Sequence, residues 1–592
     1  MFPRRLILAG IVAVASAGWS PAANQFVQHN LISDLAGLAD HQDANLVNPW
    51  GICASTSSPF WFSDNGTGVS TLDDGNGTAI PLKVAIPAPN GTDPGAPSGC
   101  VFNSTTGFAV DGKAATFMFS TEDGTILGWN GSAGTTAVIL ADRSNTGAIY
   151  KGLAIATRAS GPALYAANFH AGTVDVWDQN MTLQKMPGAF ADPSIPKGFA
   201  PFNIQYMNGR LYVTYAMQDD DKEDDVAGPG NGYVDTYNVD GELLQKLVVA
   251  GALNSPWGLA VAPPYFGDFS NAILVGNFGD GKINAYNALS GAWIGNLKDA
   301  YGNDIEISGL WGLMVGNGGK GGDKGALYFT AGIAGPDNPE DHGLFGLIQP
   351  DPVIASVFNA ASFGPAIGPG AFGSVKGSAL APTTRSAGDA DTINGQLPIQ
   401  LDGVSMTVDG RPAYIGYISP GQINFIAPPD TSMGQVSVVV YNNEVASAWA
   451  TVWLQPYAPG FFTLTGGFIS ATHADGSPVG STTLVPDKST PAVPGETISL
   501  FGTGFGPTNP PMDGRVLYAP VPAATWPAVW IGGLQATVSW AGLSAAGTYR
   551  IDVVVPSVPQ AKTPTVDVPV TATVSGSYTS QNGVLVTVMP KP

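Results

Sequence analysis

Charge is scarce in this chain: Asp, Glu, Lys and Arg make up 12% of its 592 residues, about half the share of an ordinary soluble domain. What charge there is leans one way. Lys and Arg number 24 against 45 Asp and Glu, a net charge of −21, which repels phosphate backbones and excludes nucleic acid as a partner. Cysteine is nearly absent, with Cys53 and Cys100 alone, so no disulfide framework holds the fold together. Histidine is sparse too. His29, His41, His170, His342 and His473 show none of the spacings of a zinc site, and His-Glu-x-x-His, Cys-x-x-Cys and Gly-x-Ser-x-Gly are all missing. No apolar run reaches the roughly 20 residues that span a bilayer comfortably. One shorter run, Leu6 to Ala17, follows Arg4 and Arg5 and precedes Pro21-Ala22-Ala23, the pattern of a cleaved secretory signal over residues 1–23. The expected product is exported, whether secreted, periplasmic or held at a cell surface, with no transmembrane segment after cleavage.

Glycine (77) and proline (48) are plentiful, and they punctuate short apolar and aromatic runs instead of forming low-complexity blocks. An all-β chain rich in turns has this look. Self-similarity then appears at a spacing of about fifty residues. Six copies begin at Pro49-Trp50-Gly51-Ile52, Ser98-Gly99-Cys100-Val101, Lys151-Gly152-Leu153-Ala154, Ala200-Pro201-Phe202-Asn203, Pro256-Trp257-Gly258-Leu259 and Leu310-Trp311-Gly312-Leu313. Each continues into an aromatic or branched second strand, then a turn carrying Gly, as at Asn65-Gly66, Asp123-Gly124, Asp280-Gly281 and His342-Gly343, where positive φ is cheap. Six such units without helices are best satisfied by a six-bladed β-propeller over 24–350, with Phe26–Ser33 supplying the strand that the sixth copy lacks. Beyond Pro350 the period changes. Pro369–Gly377 matches Pro494–Gly502 and Gln422–Pro428 matches Arg550–Pro556, a duplication of sandwich-sized segments that predicts two Ig-like β-sandwiches, 351–457 and 458–592. The expected fold class is all-β.

Several motifs carry a family resemblance. Asn48-Pro49-Trp50-Gly51, Ser63-Asp64-Asn65-Gly66-Thr67-Gly68, Tyr150-Lys151-Gly152-Leu153, Ala167-Asn168-Phe169-His170 and Gly276-Asn277-Phe278-Gly279-Asp280-Gly281 make the first 350 positions resemble a bacterial exported β-propeller family of uncharacterised function. More distantly this part is similar to NHL and gluconolactonase-like propellers. The tail, through Asn359-Ala360-Ala361-Ser362-Phe363 and Gly502-Thr503-Gly504-Phe505-Gly506-Pro507, resembles a C-terminal module of secreted acidobacterial proteins related to IPT/TIG Ig-like domains. The resemblance implies location and architecture and supplies no reaction.

In a propeller the turns between second and third strands share one face. Asp64, Asn65, Glu122, Asp123, Asn168, His170, Asn277, Asp280, Asp341 and His342 would gather there as the candidate ligand face. Four of them, Asp64, Glu122, Asn168 and Asn277, are candidate ligands for Ca²⁺ or Mg²⁺, whose coordination favours oxygen. Gluconolactonase-like enzymes hold a divalent ion in such a ring, which could polarise a lactone carbonyl or activate water. Against this stands plain turn chemistry, since Asn and Asp before Gly are what β-turns require. The run Asp219-Asp220-Asp221-Lys222-Glu223-Asp224-Asp225 lacks the Gly and the later Glu of an EF-hand and reads as a solvated acidic loop. Cys53 and Cys100 open the first two copies, so adjacent blades would bring them near each other; whether they bond depends on Cα separation. Trp50, Trp257 and Trp311 recur at one position and read as blade-packing core. The expected function is a monomeric, non-enzymatic exported binder of an extracellular protein, glycan or small ligand, with the Ig-like modules as spacers and no certain cofactor. The alternative is a divalent-metal-dependent lactonase or esterase with its site at the propeller centre.

Overall fold

The computed structural model describes residues 25–335, 340–430, 432–512, 514–517, 519–559 and 563–590; the expected signal, 1–23, lies outside the described residues. The chain is all-β, and among the described residues its helices are single 3-10 turns. It divides into two compact units, Asn24–Asp351 and Pro352–Pro592.

In the first unit the strands form successive antiparallel sheets. Sheet one runs from Pro49–Cys53 through Phe60–Asp64 and Val69–Ser70 to Val84–Ala85. Sheet two holds Pro97–Phe102, Phe117–Thr121, Thr125–Trp129 and Val138–Asp142; sheet three holds Tyr150–Arg158, Gly161–Asn168 and Thr173–Asp178. Sheet four holds Phe199–Met207, Arg210–Met217, Tyr233–Tyr237 and Leu243–Val249, and sheet five Pro256–Val261, Ile273–Asn277, Ile283–Tyr286 and Trp293–Asn296. Sheet six joins Leu310–Val315, Leu327–Ile333 and His342–Pro350 to Phe26–Ser33 from the other end of the unit. That last pairing is antiparallel, from Phe26 opposite Pro350 to Ser33 opposite Leu344, and a Ser33 Oγ bond of 2.7 Å to the Gly343 carbonyl tightens it. His342, expected in a turn, is instead the first residue of a strand and pairs with Ile333.

One irregularity recurs in all six sheets. The register between first and second strands slips by one residue, between Pro49 and Ile52, between Phe119 and Thr121 in sheet two, and between Tyr150 and Gly152, Pro201 and Asn203, Pro256 and Gly258, and Leu310 and Leu313 in the others. A bulge of this kind re-aims a side chain out of the sheet. Here it turns Trp50, Ser98, Lys151, Phe202, Trp257 and Trp311 to the interior, where all six are buried. The N–H freed by a bulge finds a hydroxyl on the neighbouring strand: Gly99, Asn203 and Gly312 donate to Ser120 Oγ, Thr214 Oγ1 and Thr330 Oγ1 at 2.9–3.0 Å. Beside five of the six bulges stands a glycine, Gly51, Gly99, Gly152, Gly258 or Gly312, at which the surrounding chain leaves a side chain no room. A Cβ on Gly51 would lie 2.6 Å from the Ser98 carbonyl, and one on Gly312 2.7 Å from that of Trp50. Side chains then tie sheet to sheet, Thr330 Oγ1 to the Trp50 carbonyl and Asn203 Nδ2 to that of Trp257, each at 2.7 Å.

The bulged residues of adjacent and of non-adjacent sheets meet. Trp50 of sheet one stacks on Trp311 of sheet six with centroids 3.6 Å apart, meets Trp257 of sheet five edge-on at 6.4 Å, and carries Lys151 Nζ of sheet three 4.9 Å from its ring centroid. Only sheets arranged radially about one axis allow this, which makes the unit a β-propeller. A disulfide joins Cys53 to Cys100 across sheets one and two, with Cα atoms 5.7 Å apart.

The second unit holds two cores. The first is enclosed by a sheet carrying Val375, Ile415, Ile423 and Phe425 and another carrying Met406, Val438, Val440 and Val452. The second gathers Ile498, Leu500, Val529, Ile551, Val553, Val570 and Val586.

Thr330→Val keeps shape while removing the acceptor for Gly312 N–H and the donor to Trp50. It is expected to lower the stability of the first unit by about 1–3 kcal/mol, read as a lower denaturant midpoint at unchanged m.

Candidate functional site

The axis is filled by aromatic rings. Trp50, Phe169, Phe202, Trp257 and Trp311 form one buried cluster with Phe278 against it, and Phe278 stacks on Trp311 at 4.1 Å. The three tryptophans are core, as their repeat position suggested, but they pack sheet against sheet at the axis. Into this apolar floor the third bulge delivers Lys151, whose side chain is 1% exposed. Its ammonium lies over the rings of Trp50 and Phe169, a placement that the ring quadrupole favours. Glu122 Oε1 and Asp224 Oδ1, the latter at 3.2 Å, bind the ammonium. Burial works to deprotonate Lys151, but Glu122 and then Asp224 outweigh it and hold the group above its ordinary value. A lysine so held is a fixed cation, neither nucleophile nor base.

Two further groups complete the cluster. Asn65 Nδ2 donates to Glu122 Oε2 at 2.8 Å. Glu340 accepts from Trp311 Nε1 at 3.0 Å, a donor shared with Asn48 Oδ1 at 3.1 Å. Burial, and then the charge of Glu122, lift the Glu340 carboxyl to about 7. Asp225, next to Asp224, is also raised by burial. Asp224 itself is 78% exposed while an oxygen of Asp225 is buried, so the acidic run read as solvated is only partly so.

Most of the expected face does not converge. Asp64 is fully buried at the end of its strand, accepts from Thr71 N and Oγ1 at 2.9 and 2.8 Å, and is lifted well above the carboxylate range by burial. Asp123 accepts from Ala96 N at 2.6 Å. Asn168 donates to Asp175 at 3.1 Å and accepts from Ala171 N. His170 keeps a buried Nδ1 without a hydrogen-bond partner. Asn277 donates to the Ala252 carbonyl at 2.9 Å and to Asp280 at 3.0 Å, while Asp280 accepts from Lys282 N. His342 pairs through Nδ1 with Asp34 at 2.6 Å. Of the ten residues expected on that face, Asn65 and Glu122 join the axial cluster.

In the expected metal set, Glu122 has an ammonium for its counter-ion and Asp64 Oδ2 and Asn168 Oδ1 accept from nearby chain, as turn-forming Asn and Asp do. Asp64 Oδ1 and Asn277 Oδ1 are buried without a hydrogen-bond partner. Among the described residues no group of three or more His, Cys, Asp or Glu is placed to hold a metal ion.

Sequence reasoning missed Lys151 and Glu340. Lys151 had a signal: it stands where the other copies have Trp, Phe or Ser, and a lone cation at an apolar repeat position marks a buried ion pair. Glu340 lies in a loop without counterparts in the other copies and had none.

Lys151→Met leaves Glu122 beside an apolar floor without its cation. It is expected to cost about 3–5 kcal/mol, with Glu122→Gln in the same chain recovering part of the loss in a double-mutant cycle. Glu340, Asp73 and Asp235 all sit at about 7 through burial. The folded state therefore binds more protons than the unfolded one between about pH 4 and pH 7, and stability falls as pH rises through that window. The melting temperature should be higher at pH 5 than at pH 8, and Glu340→Gln should narrow the difference by stabilising the protein at pH 8.

No family model matches the chain. Uncharacterized protein R648 of Acanthamoeba polyphaga mimivirus is 32% identical over 338 residues, covering 55% of this chain and 80% of that protein. Uncharacterized protein L690 of the same virus is 31% identical over 335 residues, covering 55% and 86%. Among solved structures, a streptogramin B lyase aligns with TM-score 0.34 and 12% identity over 56% of this chain and 99% of that one. A gluconolactonase of Xanthomonas campestris aligns with TM-score 0.26 and 13% identity over 56% and 98%. The sequence relatives are viral, whereas the motifs had suggested a bacterial family. The chain belongs to the family of the mimivirus proteins R648 and L690, whose members bring no known reaction with them.

Proposed function

We propose that the protein is an exported, non-enzymatic binding protein: a six-bladed β-propeller over 24–350 that takes its ligand at the axial end, followed by two Ig-like spacer modules, 351–457 and 458–592. The reading rests on one observation above all. At the axial end Lys151 is buried and already paired, while Glu122 and the exposed Asp224 leave a surplus of negative charge beside an aromatic floor. Such a seat favours a ligand with a cationic group, an ammonium or a guanidinium. Six sheets, each with a bulge between its first and second strands, support the blade count. The two sheets around the first tail core support the sandwich reading.

A divalent-metal lactonase or esterase would need vacant oxygen donors on one centre. Glu122 is engaged by the Lys151 ammonium and Asn168 Oδ1 accepts from Ala171 N, which favours binding over hydrolysis.

Spermidine serves as the probe. In a thermal-shift titration at moderate salt it is expected to raise the melting temperature of the full chain, and to raise it markedly less in Asp224→Asn. An equal shift in the variant removes the axial seat. Turnover within a lactone panel, or a stabilisation by Ca²⁺ that EDTA reverses, replaces the binder with the hydrolase.

A further inference from the structure

A second surface of distinct chemistry lies in the Pro352–Pro592 unit and rests on none of the axial residues. Its first core is bounded by a sheet in which Ala450–Leu454 runs between Ala366–Ile367 and Gly434–Asn442, with Val404–Val408 beyond. Side chains alternate along these strands. Val452 and Leu454, Val436, Val438 and Val440, and Val404, Met406 and Val408 all point to the core. The opposite face therefore carries Thr451 and Trp453 on one line, with Trp449 just before the strand, and Gln435, Ser437, Val439 and Tyr441 on the next. Register sets Trp453 beside Gln435 and Thr451 beside Ser437, and Gln435 Nε2 donates to Thr451 Oγ1 at 2.7 Å. Ser405 and Thr407 follow beside Tyr441 and Val439.

Trp449 is 71% exposed and Trp453 51%. Two indoles this close in the chain leave a large apolar area in water. Guarding a sheet edge does not account for Trp453, which is paired on both sides. Nor does the sandwich design require them: the corresponding last strand of the second module, Leu585–Val588, places a buried Thr587 where an exposed ring could stand.

We propose that this face binds an uncharged polysaccharide chain. In a protein of net charge −21, none of the outward residues of these three strands is charged, so the face matches a neutral ligand and offers nothing to an ionic one. Its side chains alternate indole or phenol with hydroxyl and amide. A pyranose ring presents the same division, an apolar C–H face that lies on an aromatic ring and hydroxyls at its rim that bond Ser, Thr and Gln. Length selects a polymer. Trp449, just before the strand, and Trp453 within it are four residues apart, at most roughly 13 Å in extended chain, so a ligand touching both must run along the strand for more than one sugar unit.

The test uses the full chain and insoluble neutral polysaccharides, cellulose and chitin, with affinity electrophoresis in gels containing a soluble β-glucan. Retention that survives raised salt is expected, because no charge takes part. Trp449→Ala with Trp453→Ala should weaken it by at least about tenfold at unchanged melting temperature, and Trp453→Tyr should restore much of it. Absence of retention on all three polymers overturns the proposal, as does equal retention by the double variant. A drop in sedimenting mass on making that variant also overturns it and assigns the face to contact between two copies of the chain.

Discussion

The structure of the first unit depends on how closely six inner strands can approach one axis. Five of the six strands reach their neighbour at a glycine with no room for a side chain, Gly51, Gly258 and Gly312 among them, and the sixth does so through the Asn203 amide. Each also carries a bulge that throws the preceding side chain inward. The hydroxyls of Ser120, Thr214 and Thr330 make this tolerable by satisfying the N–H groups that the bulges release. Without that device the six bulged side chains would stay in the planes of their sheets and the axis would be an open channel. With it, three tryptophans and a phenylalanine close the axis from four different sheets.

Closing the axis with aromatic rings fixes the electrostatics of what remains. A lysine delivered into such a floor has lost its water and can stay charged only through carboxylates and ring faces, and Lys151 has both. The carboxylates in turn come from parts of the chain remote in sequence, Glu122 after the second sheet's second strand and Asp224 in the acidic run of the fourth. A chain with little charge has thus placed several of its ionic groups where water is scarce. The same scarcity lifts Glu340 to about 7. The axial end is consequently acidic towards solvent and cationic only in its interior, a combination suited to holding a positively charged group rather than to attacking a carbonyl.

The two proposed binding surfaces differ in kind. The axial end works through charge at a place where many strands meet; the tryptophan face works through flat apolar area and neutral hydrogen bonding on a single sheet. Each is built on paired strands, so its side chains are positioned by backbone already fixed by packing.

The all-β class was legible in the sequence because alternation, glycine turns and a period near fifty are local or periodic properties that survive without coordinates. The repeat position of Trp50, Trp257 and Trp311 likewise showed that these rings do one job. The candidate site was legible only in part. Asp64, Asn168 and Asn277 were placed correctly at strand ends, yet a turn residue can reach its own loop more easily than a distant partner, and local bonds took their side chains. Glu122 and Lys151 stand 29 residues apart and Glu340 joins them from the far end of the unit; nothing in linear order connects them. Sequence by itself determined the element type, the repeat and the identity of the inward-facing position, because those follow from short-range sterics and hydrophobic pattern. Only the tertiary structure decided which charges share the axis, because that depends on a ring closing and on which groups lose their water when it does.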